Sequence, residues 1–237
     1  MNRGKWVLLM LLVFAGTVSA ADVKPLVKQL MEVRDELDGI PFGDVVEANT
    51  GRKLLPINRR NSTDRRLLEQ ISGALKRVMN RLSDPEHLAH KQRRINEVSK
   101  FFEEAMLEEL RAVTGFACDF PKTAEGRTQR LGYPDLRLVD LGSGRVVYLD
   151  PKLFQAKSRN SSLRTFYFTP KVETNKILDD AHHLLVGFSH EGKVDGAWKF
   201  TGWELVDLSG FKVRLKAEFQ GSNRDIYQDE NIVAKGN

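Results

Sequence analysis

The chain is expected to fold as an α+β protein, with helices first and then a mixed, mostly antiparallel sheet with a flanking helix. Three observations lead there. Between residues 22 and 113, apolar side chains recur every three or four positions, the period of a helix with one buried face. From Phe116 onward the pattern changes to short apolar runs and alternation by two, the period of strands. Within that second half, Gly142-Ser143-Gly144 separates two apolar runs, which signals a hairpin.

The first twenty residues read as an address. Arg3 and Lys5 form a positive start, Trp6 to Ala15 an apolar stretch, and Val18-Ser19-Ala20 a small-residue cleavage site. Cleavage after Ala20 would deliver a secreted or periplasmic protein. The apolar run is short for a membrane span, so no stable membrane association is expected after cleavage. An uncleaved N-terminal anchor is the rival. After the signal peptide (1–20), residues 21–94 are expected as a helical N-terminal region and 95–237 as the core.

Residues 22–38 form the first helix, with Leu26, Leu30, Val33 and Leu37 on one face. Gly39 to Asn61 reads as irregular because Pro41, Gly43, Gly51 and Pro56 interrupt it. Ser62 or Thr63 caps a second helix to about Leu82, on which Leu67, Ile71, Leu75 and Val78 share a face. Asp84-Pro85-Glu86 starts a third, which runs to Val113 and stops at Gly115. Strands are then expected over Phe116 to Phe120, on both sides of Gly142-Ser143, over Arg164 to Thr169 and over Leu184 to Ser189. Lys176 to His183 reads as a helix. Trp198 to Leu208 and Phe211 to Phe219 read as a strand pair around Ser209-Gly210.

Composition bounds the chemistry loosely. Lys and Arg number 37 against 32 Asp and Glu, a net charge of +5; without Arg3 and Lys5 it is +3. So mild a bias permits nucleic-acid binding without requiring it. Cys118 is the only cysteine, which excludes an intramolecular disulfide. There is no phosphate-binding Gly-rich loop, G-x-S-x-G elbow, H-E-x-x-H or paired C-x-x-C. That removes the standard kinases, serine hydrolases and zinc proteases.

The hairpin gathers the chemistry. With Gly142 and Ser143 as central residues of a type II′ turn, Leu136 faces Leu149 and Leu138 faces Val147 on one side. Asp135 then lies opposite Asp150 on the other side, and Lys152 joins them by alternation. Two aspartates about 5 Å apart repel, and are stable together only with a cation, a shared proton or a lysine. Such an oxygen-rich pair suits Mg²⁺ or Mn²⁺. A metal there could polarise a phosphoryl oxygen and acidify a water, which is the chemistry of phosphodiester hydrolysis.

Pro134-Asp135, fourteen residues and then Asp150-Pro151-Lys152 resembles the PD-(D/E)xK nuclease superfamily, the restriction-endonuclease-like fold. The resemblance implies a nuclease core over 95–237, with DNA as the default substrate. It implies that Asp135 and Asp150 are metal ligands with the backbone carbonyl of Pro151, and that Lys152 positions the attacking water. Pro151 lacks an N–H, so it is expected at a bulge or on an edge. The family often adds a glutamate from the preceding helix. Glu109, in the middle of that helix's apolar stripe, is the candidate, with Glu108 in reserve. A helix-end glutamate paired with Arg111 or simply solvated is the plainer alternative.

Other polar residues carry less. His182 and His183 have no partner fixed by sequence, and His87 and His90 lack a third ligand. Lys76, Arg77, Arg81, Lys91, Arg93 and Arg94, or Gln220, Asn223 and Arg224, could meet phosphates or solvate a surface. Trp198, Trp203, Tyr167 and Phe168 could stack bases or fill a core. Two functions follow: an exported Mg²⁺- or Mn²⁺-dependent nuclease, or a non-enzymatic exported binding protein that keeps the fold.

Overall fold

The computed structural model describes residues 20–162, 166–216, 218 and 220–234. The chain divides into Ile40–Val213 and a second unit made of the residues up to Gly39 with those from Arg214. In the second unit, α1 (Ala20–Glu36) leaves Leu26, Leu30 and Val33 exposed, and Leu215 N donates to Leu37 O at 2.9 Å.

β1 (Ile40–Pro41) opens the larger unit and is followed by α2 (Phe42–Thr50), a helix in a stretch expected to be irregular. The same residues that suggested a break delimit it. Pro41 is the N-cap, Asp44 lies in the first turn, and Gly51 closes the helix at a φ of 68°, where glycine carries no Cβ penalty. Burial holds it in place: Phe42 and Val46 are fully buried, and Phe42 meets Tyr133, Phe166 and Phe168 edge-on with ring centroids 5.1–5.5 Å apart.

α3 (Ser62–Leu82) buries Leu67, Ile71, Leu75 and Val78, as the spacing requires. Its cap is Asn61, whose side chain accepts from Thr63 N and Asp64 N, in place of Ser62 or Thr63. The long helix expected from Asp84 begins later, as α4 (Ile95–Arg111). Side chains capture the preceding backbone: His87 Nδ1 accepts from Ala89 N, and His90 Nδ1 from Trp198 N. Glu97 accepts from the Arg93 and Arg94 amides and so sets the start of α4. α3 and α4 share one hydrophobic core, so the boundary expected at residue 94 runs through it.

The main sheet holds β2 (Phe116–Asp119), β3 (Leu136–Asp140), β4 (Arg145–Gln155), β5 (His182–Val194) and β6 (Ala197–Asp207), neighbours in that order. β4 and β5 run parallel and the other neighbours antiparallel, a mixed sheet as expected. One face buries Leu136, Leu138, Val147, Leu149 and Val186 against α3 and α4. The opposite face carries Tyr148 beneath Phe42, Val46 and Ile177.

The helix expected over Lys176 to His183 does not form. Its amides find partners outside a helical ladder: Ile177 N donates to Asn175 Oδ1, Leu178 N to Tyr148 Oη, and Ala181 N to Lys53 O. Of the strand expected over Arg164 to Thr169, Arg164 and Thr165 lie outside the described residues, and 166–169 are irregular. β6 makes its hairpin with β5 through Asp195 and Gly196, at φ 50° and 84°. Leu208–Gly210 is a 3-10 turn leading to β7 (Lys212–Val213), which pairs with β1 instead of β6. Phe219 lies outside the described residues; α5 (Asn223–Ile226) completes the smaller unit.

Candidate active site

The site grows from the β3–β4 hairpin. Leu136 pairs with Leu149 and Leu138 with Val147, the register that alternation demands. The connection differs from a two-residue turn. Residues 141–144 form a four-residue loop in which Gly144, and not Gly142, takes positive φ, at 70°. Asp140 O accepts from Gly144 N at 2.8 Å, and the Asp140 side chain accepts from Gly142 N and Ser143 Oγ and pairs with Arg66. Lengthening the turn by one residue at each side is symmetric, so the register survives.

At the open end of the hairpin Asp135 N donates to Leu149 O, and β3 then stops pairing. Backbone groups alternate sides along a strand, so the nitrogen and carbonyl of Pro151 face the side where β3 has run out. The missing N–H of Pro151 therefore costs no ladder bond, and β5 remains paired with β4 through Pro151 and Lys152. Pro151 sits at a local edge, one of the two positions its chemistry allowed.

Asp135, Asp150 and Lys152 come together there. Lys152 Nζ lies 2.6 Å from Asp150 Oδ2 and 3.9 Å from Asp135 Oδ2. Both carboxylates therefore lie beside the same ammonium. Asp150 is 2% exposed, and its Oδ2 has no aligned hydrogen-bond donor although the lysine ammonium is close. Burial, and then the Asp150 charge, push the Asp135 carboxyl up to about 8. An acid pair this crowded, with one carboxyl pushed well above its ordinary range, has room for more positive charge than Lys152 alone supplies. Two carboxylates and a carbonyl are hard oxygen donors, and Mg²⁺ commonly takes one or two carboxylates and fills its shell with water and phosphate oxygen. The donor set fits that ion. Among the described residues no group of three His, Cys, Asp or Glu side chains converges on one point, so the protein's own share is small.

Glu109 is not part of this cluster. It lies at the α3–α4 contact, where Arg77 Nε donates to Glu109 Oε2 at 2.6 Å and Arg77 Nη2 to its carbonyl. Glu108 pairs with Arg81. The Arg111 pairing in the plainer alternative also needs correction, since Arg111 pairs with Asp119 at 3.0 Å. The helical carboxylate whose charge acts on Asp135 is Glu103, nearly two turns earlier; it holds Arg130 at 3.3 Å. The apolar stripe of α4 faces the sheet core, so a carboxylate at the stripe's flank, and not at its centre, reaches the hairpin's open end.

Sequence reasoning passed over Lys176 altogether. It is 1% exposed, and its ammonium donates to Gly132 O at 2.6 Å and Gln129 O at 3.1 Å. Nothing in its local sequence marks it, because its burial comes from a strap of irregular chain. A cavity of roughly 620 Å³ opens beside it, lined by Arg111, Phe120, Arg137, Lys176 and Asp179 among others, but not by the acid pair itself. Beneath the site Tyr133 Oη and the buried His183 Nδ1 share a 2.7 Å hydrogen bond. Burial and the neighbouring His182 push His183 down to about 3, so it stays neutral and serves structure. His182 joins Arg145 and Leu55 O in a second buried network. Gln220, Asn223 and Arg224 belong to the other unit.

Comparison with known proteins agrees with this geometry. The model of the type II restriction enzyme MjaV family matches residues 36–230. The type II restriction enzyme MjaV of Methanocaldococcus jannaschii is 32% identical over 214 residues, which span 86% of this chain and 92% of that protein. With the restriction-endonuclease-like sheet and the Pro134-Asp135…Asp150-Pro151-Lys152 hairpin already in place, the chain belongs to the type II restriction enzyme MjaV family.

Proposed function

We propose that this protein is a metal-dependent endonuclease that hydrolyses phosphodiester bonds in DNA. The observation that carries the reading is the Asp135–Asp150 pair, half-buried and buried in turn, with Lys152 between its oxygens. The relative's designation as a type II restriction enzyme supports DNA as the substrate. Asp135, Asp150 and the Pro151 carbonyl would hold Mg²⁺ or Mn²⁺, and Glu103 would add negative charge in the role first expected of Glu109. When bound, the ion would supply a Lewis acid for a phosphoryl oxygen and a more acidic water. Lys152 orients the attacking water and offsets charge that develops on the phosphate. Tyr133 and His183 hold the floor of the site without taking a proton.

The rival of a non-enzymatic binding protein draws on Pro151 and on the mild net charge, and the edge position of Pro151 takes the first of these supports away. Plasmid cleavage tests the assignment. The chain from Ala21 onward should nick or linearise DNA with Mg²⁺ and not with EDTA. Asp150→Ala and Lys152→Ala should each slow cleavage by roughly a hundredfold or more. Equal inertness of wild type and both variants in Mg²⁺ and Mn²⁺ would sink it.

Residues 1–20 we read as a cleavable export leader, which makes the mature chain secreted or periplasmic. No helix among the described residues is long and apolar enough to cross a membrane. Mass spectrometry of protein purified from its native cells should find a chain that begins at Ala21; an intact Met1 chain would refute this.

A further inference from the structure

The segment 175–181 is fastened to the sheet at several points. Leu178 N donates to Tyr148 Oη at 2.9 Å, and Asp179 takes a bidentate pair from Arg137, at 2.7 and 2.9 Å, with a third bond from Tyr148 Oη at 2.7 Å. The Asn175 side chain locks the backbone around Ile177, accepting from Ile177 N and donating to Ile177 O. Lys176 projects from this fixed strap and ends on the carbonyls of Gln129 and Gly132, six and three residues before Asp135. Two carbonyls alone would be satisfied by a neutral donor. Burying an ammonium ion is costly unless negative charge is close by. The negative charges that act on Lys176 are those of Asp135, Asp150 and Glu103, the acidic groups of the hairpin site, with Arg130 opposing them.

We propose that Lys176 is a positioning residue and the resident counter-charge of the acidic site. It clamps the Gln129–Gly132 turn, fixes where Asp135 enters the site, and offsets the charges of Asp150 and Glu103, together with that of Asp135 once its carboxyl ionises. This role deepens the nuclease reading and rests on it for its catalytic half. Its electrostatic half stands apart from activity. Burial draws the Lys176 ammonium down to about 8 while the three carboxylates pull the other way, which agrees with a cation kept in place by acids.

A double-mutant cycle separates charge balance from simple tethering. Lys176→Met keeps the length of the side chain and removes its charge. That change should lower Tm by about 10 °C, the scale of an uncompensated buried charge. Adding Glu103→Gln, which takes away one of the acids that Lys176 offsets, should restore at least half of the loss. A residue that only ties down carbonyls would give additive effects. If Lys176→Met fails to fold, recovery of folded protein in the double variant supports the proposal, and a double variant no more stable than Lys176→Met overturns it. In plasmid cleavage, Lys176→Met should cut kcat by about a hundredfold, with KM for DNA within about threefold, because a displaced Asp135 spoils geometry and not binding. An unchanged kcat in an active preparation overturns the positioning role. A wild type without cleavage would remove the nuclease reading alone, since the stability cycle still reports on Lys176.

Discussion

Replacing Asp135 by Asn should remove a pH dependence that the site builds into the stability of the fold. Burial and the neighbouring Asp150 raise the Asp135 carboxyl from an ordinary 3.8 to about 8. Between those values the native chain keeps a proton that the unfolded chain has released. Stability therefore falls as pH climbs from about 4 to 8. At about 1.4 kcal/mol for each pKa unit, the window sets a ceiling near 6 kcal/mol. The paired acids share the proton, so a loss of about 2–4 kcal/mol is expected. Lys176 acts in the opposite sense at higher pH. Burial lowers it from 10.5 to about 8, so between those values the unfolded chain holds the extra proton and stability recovers. Wild type should thus be least stable near pH 8, and Asp135→Asn should lose the descending limb and exceed wild type there. Urea denaturation with EDTA at pH 5 to 9, followed by the fluorescence of Trp198 and Trp203, measures both limbs. Parallel curves for wild type and Asp135→Asn would refute the reasoning.

Four further outcomes follow from single contacts. Glu103→Gln should slow cleavage by about tenfold, as for a partner one step removed from a metal site. Glu109→Gln should leave it within about twofold, at a cost of no more than about 1 kcal/mol for the half-exposed Arg77 pair; the reverse order in a plasmid assay would restore Glu109 to the site. A Cβ at Gly187 would sit 3.0 Å from Phe154 Cε1, so Gly187→Ala should cost about 1 kcal/mol, and Phe154→Leu in the same chain should recover it in a denaturant titration. Burial pushes the Cys118 thiol up to about 12, so a thiol reagent at pH 8 should count no reactive cysteine in the native protein and one after urea is added. Reaction of the native protein would contradict the buried placement.

What was legible in the sequence follows from periodicity. Leu67, Ile71, Leu75 and Val78 announce α3, and the apolar runs around Gly142-Ser143 fix the hairpin register, hence the meeting of Asp135, Asp150 and Lys152. Register depends on alternation and on symmetry about the turn, so it was right although the turn type was not. Features that depend on distant chain were hidden. α2 exists because Phe42 and Val46 fill an aromatic cluster, a partner that no local pattern reveals. The 176–183 stretch has helical spacing, yet Tyr148, Asn175 and Lys53 take its backbone bonds. Glu109 was misplaced by treating the apolar stripe of α4 as the face toward the site. That stripe meets the core shared with the sheet and α3, and Arg77 from α3 covers Glu109 there.

An equilibrium titration with Mn²⁺, read by the electron paramagnetic resonance of the free ion, bears most directly on the acid pair. Wild type should bind one ion per chain, and Asp135→Asn and Asp150→Asn should each abolish that binding while remaining folded. Binding unchanged in both variants, or absent from the wild type, would contradict a metal site at the open end of the hairpin.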